Sequence, residues 1–101
     1  MRQIEHPQLD EVSLEGALSA LGDPVRLNIV TILADGEEHL QADFDAPVSK
    51  STLSHHMKTL REAGIVRSRP QGTRCFVSLR PEFEEHFPRL LETVLRLRIK
   101  R

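Results

Sequence analysis

Between Ser49 and Lys58 the chain reads Ser-Lys-Ser-Thr-Leu-Ser-His-His-Met-Lys, hydroxyls, imidazoles and cations interleaved with single apolar residues. Leu53, Met57 and Leu60 fall at i, i+4 and i+7, the spacing of one buried helix face. At about 100° per residue, Ser51, His55, Lys58 and Glu62 lie on the opposite face, flanked by Ser54. A helix built this way docks on its domain by one side. On the other it offers short polar groups to base edges and cations to phosphates in a DNA major groove. The small side chains of Ser51 and Thr52 permit close approach at the helix N-terminus, whose partial positive charge favours phosphate. Arg67, Arg69 and Arg74 then surround Pro70-Gln71-Gly72-Thr73, a turn between two strand-like runs. Any one of these Lys, Arg or Ser residues is ordinary solvated surface. Their clustering where a helix and a hairpin share a surface is what points to a polyanion.

The charge distribution agrees. The 101 residues carry a formal net charge of −1. Residues 1–48 hold two basic and ten acidic side chains, a net of −8, whereas residues 49–80 hold seven basic and one acidic, a net of +6. Residues 81–101 add +1. A near-neutral chain thus contains a strongly basic middle third, a hint of nucleic-acid binding. The acidic N-terminal half is expected to face away from DNA.

Composition narrows the classes further. Apolar residues make up 39% and charged residues 29% of a chain of one-domain length, which suits a small globule rather than a disordered chain. One cysteine, Cys75, allows no intrachain disulfide and no Cys-rich zinc site, and fits a reducing, cytoplasmic setting. No apolar run is long enough for a membrane span, and the N-terminus lacks a signal core. Trp and Tyr are absent, which disfavours a stacking platform for single strands. No phosphate loop, nucleophile–base pair or closed metal site suggests an enzyme, and no cofactor is expected.

The positioning elements follow from periodicity and punctuation. Residues 1–8 read as a flexible tail and residues 9–101 as one domain. Ser13 to Leu21 reads as a helix through Leu14, Ala17, Leu18 and Leu21. Asp23 caps a second helix that has Pro24 at its first position and carries Leu27, Val30 and Leu33. Glu37 to Val48 is the least patterned stretch, where Leu40 and Phe44 fit one face of a short helix ended by Pro47. Ser49 caps the polar helix and Gly64 stops it. Ile65–Arg69 and Arg74–Leu79 read as strands, with Cys75, Val77 and Leu79 alternating onto one face. The last segment is helical, with a break before Pro88. The expected fold is mainly α: a winged helix-turn-helix with a two-stranded β wing and a C-terminal dimerisation helix.

Three segments carry a family resemblance: Leu21-Gly22-Asp23-Pro24-Val25-Arg26-Leu27-Asn28-Ile29-Val30, then Ser51 through Val66 (STLSHHMKTLREAGIV), then Gln71-Gly72-Thr73-Arg74. Over roughly residues 13–98 the chain resembles the ArsR-type (ArsR/SmtB) transcriptional repressors, the middle segment being the most specific. The resemblance implies a homodimer that binds an inverted-repeat operator in double-stranded DNA, and the polar helix face and basic hairpin nominate Lys50, Ser51, Thr52, Ser54, His55, Lys58, Arg69, Thr73 and Arg74 for the contacts. Ser51, Thr52, Ser54 and His55 are assigned to bases or adjacent phosphates. Lys50, Lys58, Arg69 and Arg74 are assigned mainly to phosphates, with the minor groove as the alternative place for Arg74. The resemblance also implies dimer contacts mainly from the first and last helices, which nominates Leu14, Leu18, Phe87, Leu91, Val94 and Leu95. The last helix is also too broadly apolar to stand uncovered.

Many such repressors release DNA on binding metal. The positions of one family site correspond here to Glu38-His39-Leu40-Gln41-Ala42-Asp43, which lacks a thiol. His39 and Asp43, four apart, would not complete a site. Glu84-Glu85-His86 matches half of another site, and no downstream histidine supplies the rest, so no metal is expected. Cys75, on an apolar strand face, reads as a small hydrophobe. His56 flanks the buried stripe and reads as a residue that packs or makes a structural hydrogen bond. The competing readings are a metal- or redox-responsive repressor with an atypical site, and a winged-helix module that docks an acidic protein partner. No effector is named by the sequence.

Overall fold

The computed structural model describes residues 4–98. After a single 3₁₀ turn at Leu9–Glu11 come helices α1 (Leu14–Leu21) and α2 (Pro24–Leu33), strand β1 (His39–Leu40) and a 3₁₀ turn at Gln41–Asp43. Then follow α3 (Lys50–Glu62), strands β2 (Val66–Gln71) and β3 (Arg74–Leu79), and helices α4 (Pro81–His86) and α5 (Leu90–Leu97). The helix starts are set by side-chain caps. Ser13 Oγ accepts the Gly16 N–H, Asp23 Oδ2 accepts those of Val25 and Arg26, and Ser49 Oγ accepts that of Thr52. Pro24 occupies the first turn of α2, where its missing N–H has no intrahelical partner.

The core lies where α1, α2 and α3 meet the inner face of the sheet. Ala17 and Ala20 of α1, Ile29, Val30 and Leu33 of α2, Met57 and Leu60 of α3, and Val66 and Val77 of the sheet are buried together. Phe83 of α4 closes the cluster and is fully buried. Gly64 ends α3 at φ +77°, and a Cβ there would sit 3.0 Å from Leu9 Cδ1 and 3.2 Å from Val12 Cγ2. Both the left-handed turn and the close passage of the N-terminal segment therefore require glycine.

Four local features differ from the sequence-based expectations. Residues 37–48 do not form an α-helix. Leu40 joins β1 and Phe44 packs on the core from an extended segment, leaving one 3₁₀ turn between them. The wing is accordingly three-stranded, in the order β1-β3-β2, because His39 and Leu40 pair with Val77 and Phe76 along the free edge of β3. Strand β2 continues through Pro70 to Gln71. It tolerates the proline because it is an edge strand, and the outward side that the Ser68 N–H faces needs no donor at Pro70. The turn is then only Gly72-Thr73, with Gly72 at φ +64°, where a two-residue hairpin of the II′ kind places glycine.

The N-terminal segment is the fourth. Its described part is not a free tail. His6 Nε2 accepts the Ser68 N–H at 3.0 Å, and Arg80 Nη1 donates to the Pro7 carbonyl at 2.8 Å. This strap covers the exposed edge of β2, which would otherwise present unpaired backbone groups.

The break in the last segment falls at Phe87-Pro88-Arg89. Arg89 adopts φ +64°, and its N–H is accepted by Glu84 at 2.8 Å. Of the residues nominated for a dimer face, Leu91 is 8% exposed and belongs to its own chain's core, so it is the one least available to a partner. Phe87, Val94 and Leu95 are half-buried, and Leu14 and Leu18, one turn apart on α1, are 47% and 46% exposed. Leu97 at the end of α5 is 67% exposed.

Candidate nucleic-acid interface

Helix α3 shows two chemically opposite faces. Leu53, Met57 and Leu60 are buried, whereas Lys50, Ser51, Thr52, Ser54, His55 and Lys58 are exposed. The Ser49 hydroxyl organises the N-terminus, meeting Ser51 Oγ at 3.1 Å and Thr52 Oγ1 at 3.0 Å. The first turn of α3 therefore offers several hydroxyls and the partial positive charge of the helix end at one place.

The wing tip closes on this helix. A groove of about 520 Å³ runs between them, with Lys50, Leu53 and Ser54 on the helix side and Thr73, Arg74 and Cys75 on the wing side. A second hollow of about 480 Å³ continues along α3 past Lys58 and Arg61 to Ile4 and Glu5 of the N-terminal strap. Lys50, Ser54, Thr73 and Arg74 thus share one surface. Among the described residues, Lys50, Lys58 and Arg74 have no carboxylate within ion-pair distance. Gln41 borders both hollows and donates to Ser54 Oγ at 3.4 Å. Nothing in its sequence surroundings marks Gln41, because its role depends on the 3₁₀ turn that places it.

Arg69 is disposed differently. Its Nε and Nη2 donate to the two Glu38 carboxylate oxygens at 2.7 and 2.8 Å, and Nη1 donates to Gln71 Oε1 at 2.9 Å. The guanidinium carbon lies 4.8 Å from the centroid of the Phe76 ring, Arg69's cross-strand neighbour. The Arg69 guanidinium holds the Glu38 carboxyl below the usual carboxylate range. Arg69 is not among the residues that line the helix–wing groove.

His55 is exposed and His56 is not. His56 Nδ1 lies 3.0 Å from Arg26 Nη1, and because a guanidinium only donates, that ring nitrogen accepts. Arg26 Nε also donates to the Ala20 carbonyl at 2.7 Å. Arg26 therefore ties the α1–α2 turn to α3 and fixes the roll of the helix. The Asp23 carboxyl beside it is held below its ordinary value, chiefly by the Arg26 N–H it caps.

The segments weighed for metal binding are separated. His39 Nε2 pairs with Asp35 Oδ2 at 2.8 Å, not with Asp43. No cluster of three or more His, Cys, Asp or Glu with metal-binding geometry occurs among the described residues. Cys75 is half-buried at the groove wall.

A helix-turn-helix followed by a hairpin wing defines a class of DNA-binding transcription regulators, and comparison with known proteins places the chain within it. A family profile described as a helix-turn-helix domain matches residues 21–69. The Arsenical resistance operon repressor of Staphylococcus xylosus is 34% identical over 88 residues, covering 80% of this chain and 79% of that protein. The Biofilm growth-associated repressor of Agrobacterium fabrum is 34% identical over 97 residues, covering 91% and 79%. Among solved structures, the transcriptional repressor BigR from Xylella fastidiosa superposes with a TM-score of 0.67 at 27% identity, covering 87% of this chain and 88% of that one. The chain belongs to the ArsR-type helix-turn-helix transcriptional regulators, and it is a DNA-binding regulator rather than an enzyme.

Proposed function

We propose that this protein is a homodimeric cytoplasmic repressor that binds an inverted-repeat operator in double-stranded DNA, with α3 in the major groove and the wing tip on the adjacent backbone. Ser51, Thr52, Ser54 and His55 face base edges and neighbouring phosphates. Lys50, Lys58 and Arg74 neutralise phosphates, and Thr73 sits at the wing tip beside them. The observation that carries this reading is the single surface shared by α3 and the wing tip, on which Lys50, Lys58 and Arg74 have no carboxylate partner among the described residues. The polar face of a docked helix and unpaired cations beside it are what phosphate positioning and base readout require.

Repression is supported by the names of relatives, which include an arsenical resistance operon repressor and a transcriptional repressor SmtB homolog. Dimerisation is supported by Leu14, Leu18 and Leu97, exposed in the single chain, and by Phe87, Val94 and Leu95, which are only half-buried. A two-fold dimer would present two copies of α3 to successive major grooves. No helix among the described residues is long and apolar enough to cross a membrane.

Selection of bound duplexes from a random pool tests the reading. The expected product is a site with two related half-sites about one helical turn apart. A folded protein that enriches no sequence and binds no duplex at low salt overturns it and favours a protein-docking module.

A further inference from the structure

Two arginines of the wing, five residues apart, lie in different surroundings. Arg74 borders the groove beside α3 and has no ion-pair partner among the described residues. Arg69 spends three of its five donors within the protein: two on Glu38 in a parallel fork and one on Gln71. Its plane is also held over Phe76. A guanidinium so engaged has its charge already matched by a carboxylate and little left to offer a phosphate.

What the fork connects is informative. Glu38 immediately precedes β1, and Arg69 lies on β2 with β3 between them. The interaction therefore crosses the whole sheet. Strand β1 pairs with β3 through only two residues, so the hairpin's attachment along that edge is short. The Glu38–Arg69 fork adds a second tie, which reaches past β3 to β2. From Arg69 the hydrogen bonding continues to Gln71, the cross-strand partner of Arg74. A chain of hydrogen bonds thus runs from the body of the domain to the residue opposite the wing-tip cation.

We propose that Arg69 is a positioning residue, which with Glu38 and Gln71 sets the angle of the wing and the place of Arg74, and which makes no phosphate contact itself. This replaces the phosphate role that the sequence pattern suggests for Arg69, and it rests on the DNA-binding reading above.

Simple electrostatics predicts the opposite sign from this strut. Removing a carboxylate from a DNA-binding surface should tighten binding, whereas loss of the strut should weaken it. The test measures affinity for a random-sequence duplex long enough for two half-sites, at fixed low salt, for wild type, Glu38→Gln, Arg69→Lys and Arg74→Ala. Circular dichroism confirms that each variant folds. The expected result is a loss of about threefold to tenfold for both Glu38→Gln and Arg69→Lys, since lysine keeps the charge but lacks the fork. In an Arg74→Ala background neither change should weaken binding further, because the strut acts through Arg74. Tighter binding by Glu38→Gln overturns the proposal, as does wild-type affinity in Arg69→Lys. A wild-type protein that binds no duplex overturns the DNA reading and this one with it. In a wild type that does bind, the variants judge the strut alone.

Discussion

The two faces of α3 divide the work of the molecule. The face carrying Leu53, Met57 and Leu60 is buried against α1, α2 and the sheet. The face carrying Ser51, Ser54, His55 and Lys58 is open to solvent and borders the wing. Stability should depend on the first face and be nearly indifferent to the second, while DNA binding should depend on the second and feel the first only through unfolding. A recognition helix gains from this separation, because base-reading residues can vary without cost to the core.

Substitutions sort by that division. Leu60→Ala, at a fully buried position, should have the largest effect and destabilise the fold by about 2–5 kcal/mol, read by chemical denaturation. A change well under about 1 kcal/mol would mean the α3 stripe is not a packed core face. Ser49→Ala removes the cap and should cost about 1 kcal/mol. It should also weaken DNA binding, since Ser49 orders the hydroxyls of Ser51 and Thr52. Charged substitutions at the exposed Leu14 and Leu18 should leave the monomer folded and lower its association, read by sedimentation at micromolar concentration. A wild type that sediments as a monomer would remove the dimer from the account.

The smallest expected effect concerns the strap. Burial, reinforced by Arg80, Arg61 and Arg67, holds His6 below its ordinary 6.5, and its Nε2 must be unprotonated to accept the Ser68 N–H. The unfolded chain takes up this proton as pH falls through 6.5, and the folded chain only at lower pH. The strap's contribution is therefore present above that value and declines as pH is lowered below it. The thermal midpoint should drop slightly more on acidification from about pH 7.5 to about pH 5.5 in wild type than in His6→Gln. Equal drops would show that His6 titrates alike in both states.

The elements legible in the sequence are those whose local signals agree. For α3 the cap at Ser49, the apolar stripe and the stop at Gly64 all specify one helix, and the structure has it at Lys50–Glu62. Asp23 and Pro24 do the same for α2. Residues 37–48 lack such agreement. Leu40 and Phe44 are spaced as a helix face, yet each is satisfied by a different neighbour, β3 for one and the core for the other. A two-residue strand is too short to show alternation. In the candidate interface, exposure of the α3 residues follows from periodicity. The engagement of Arg69 does not, because Glu38 is 31 residues away and meets it only after β1 has paired with β3. The same holds for His6 and Ser68, 62 residues apart. Charge and spacing identify which side chains are cationic, and only tertiary pairing decides which of them remain free.

The most direct test of the shared α3–wing surface is the salt dependence of duplex binding in Lys58→Ala and Arg74→Ala. Each removes one cation that has no carboxylate partner among the described residues, so each should weaken binding with thermal stability unchanged. The slope of log affinity against log salt should flatten by about 0.9 for each phosphate that is no longer neutralised. Unchanged affinity and slope in both variants would contradict the account.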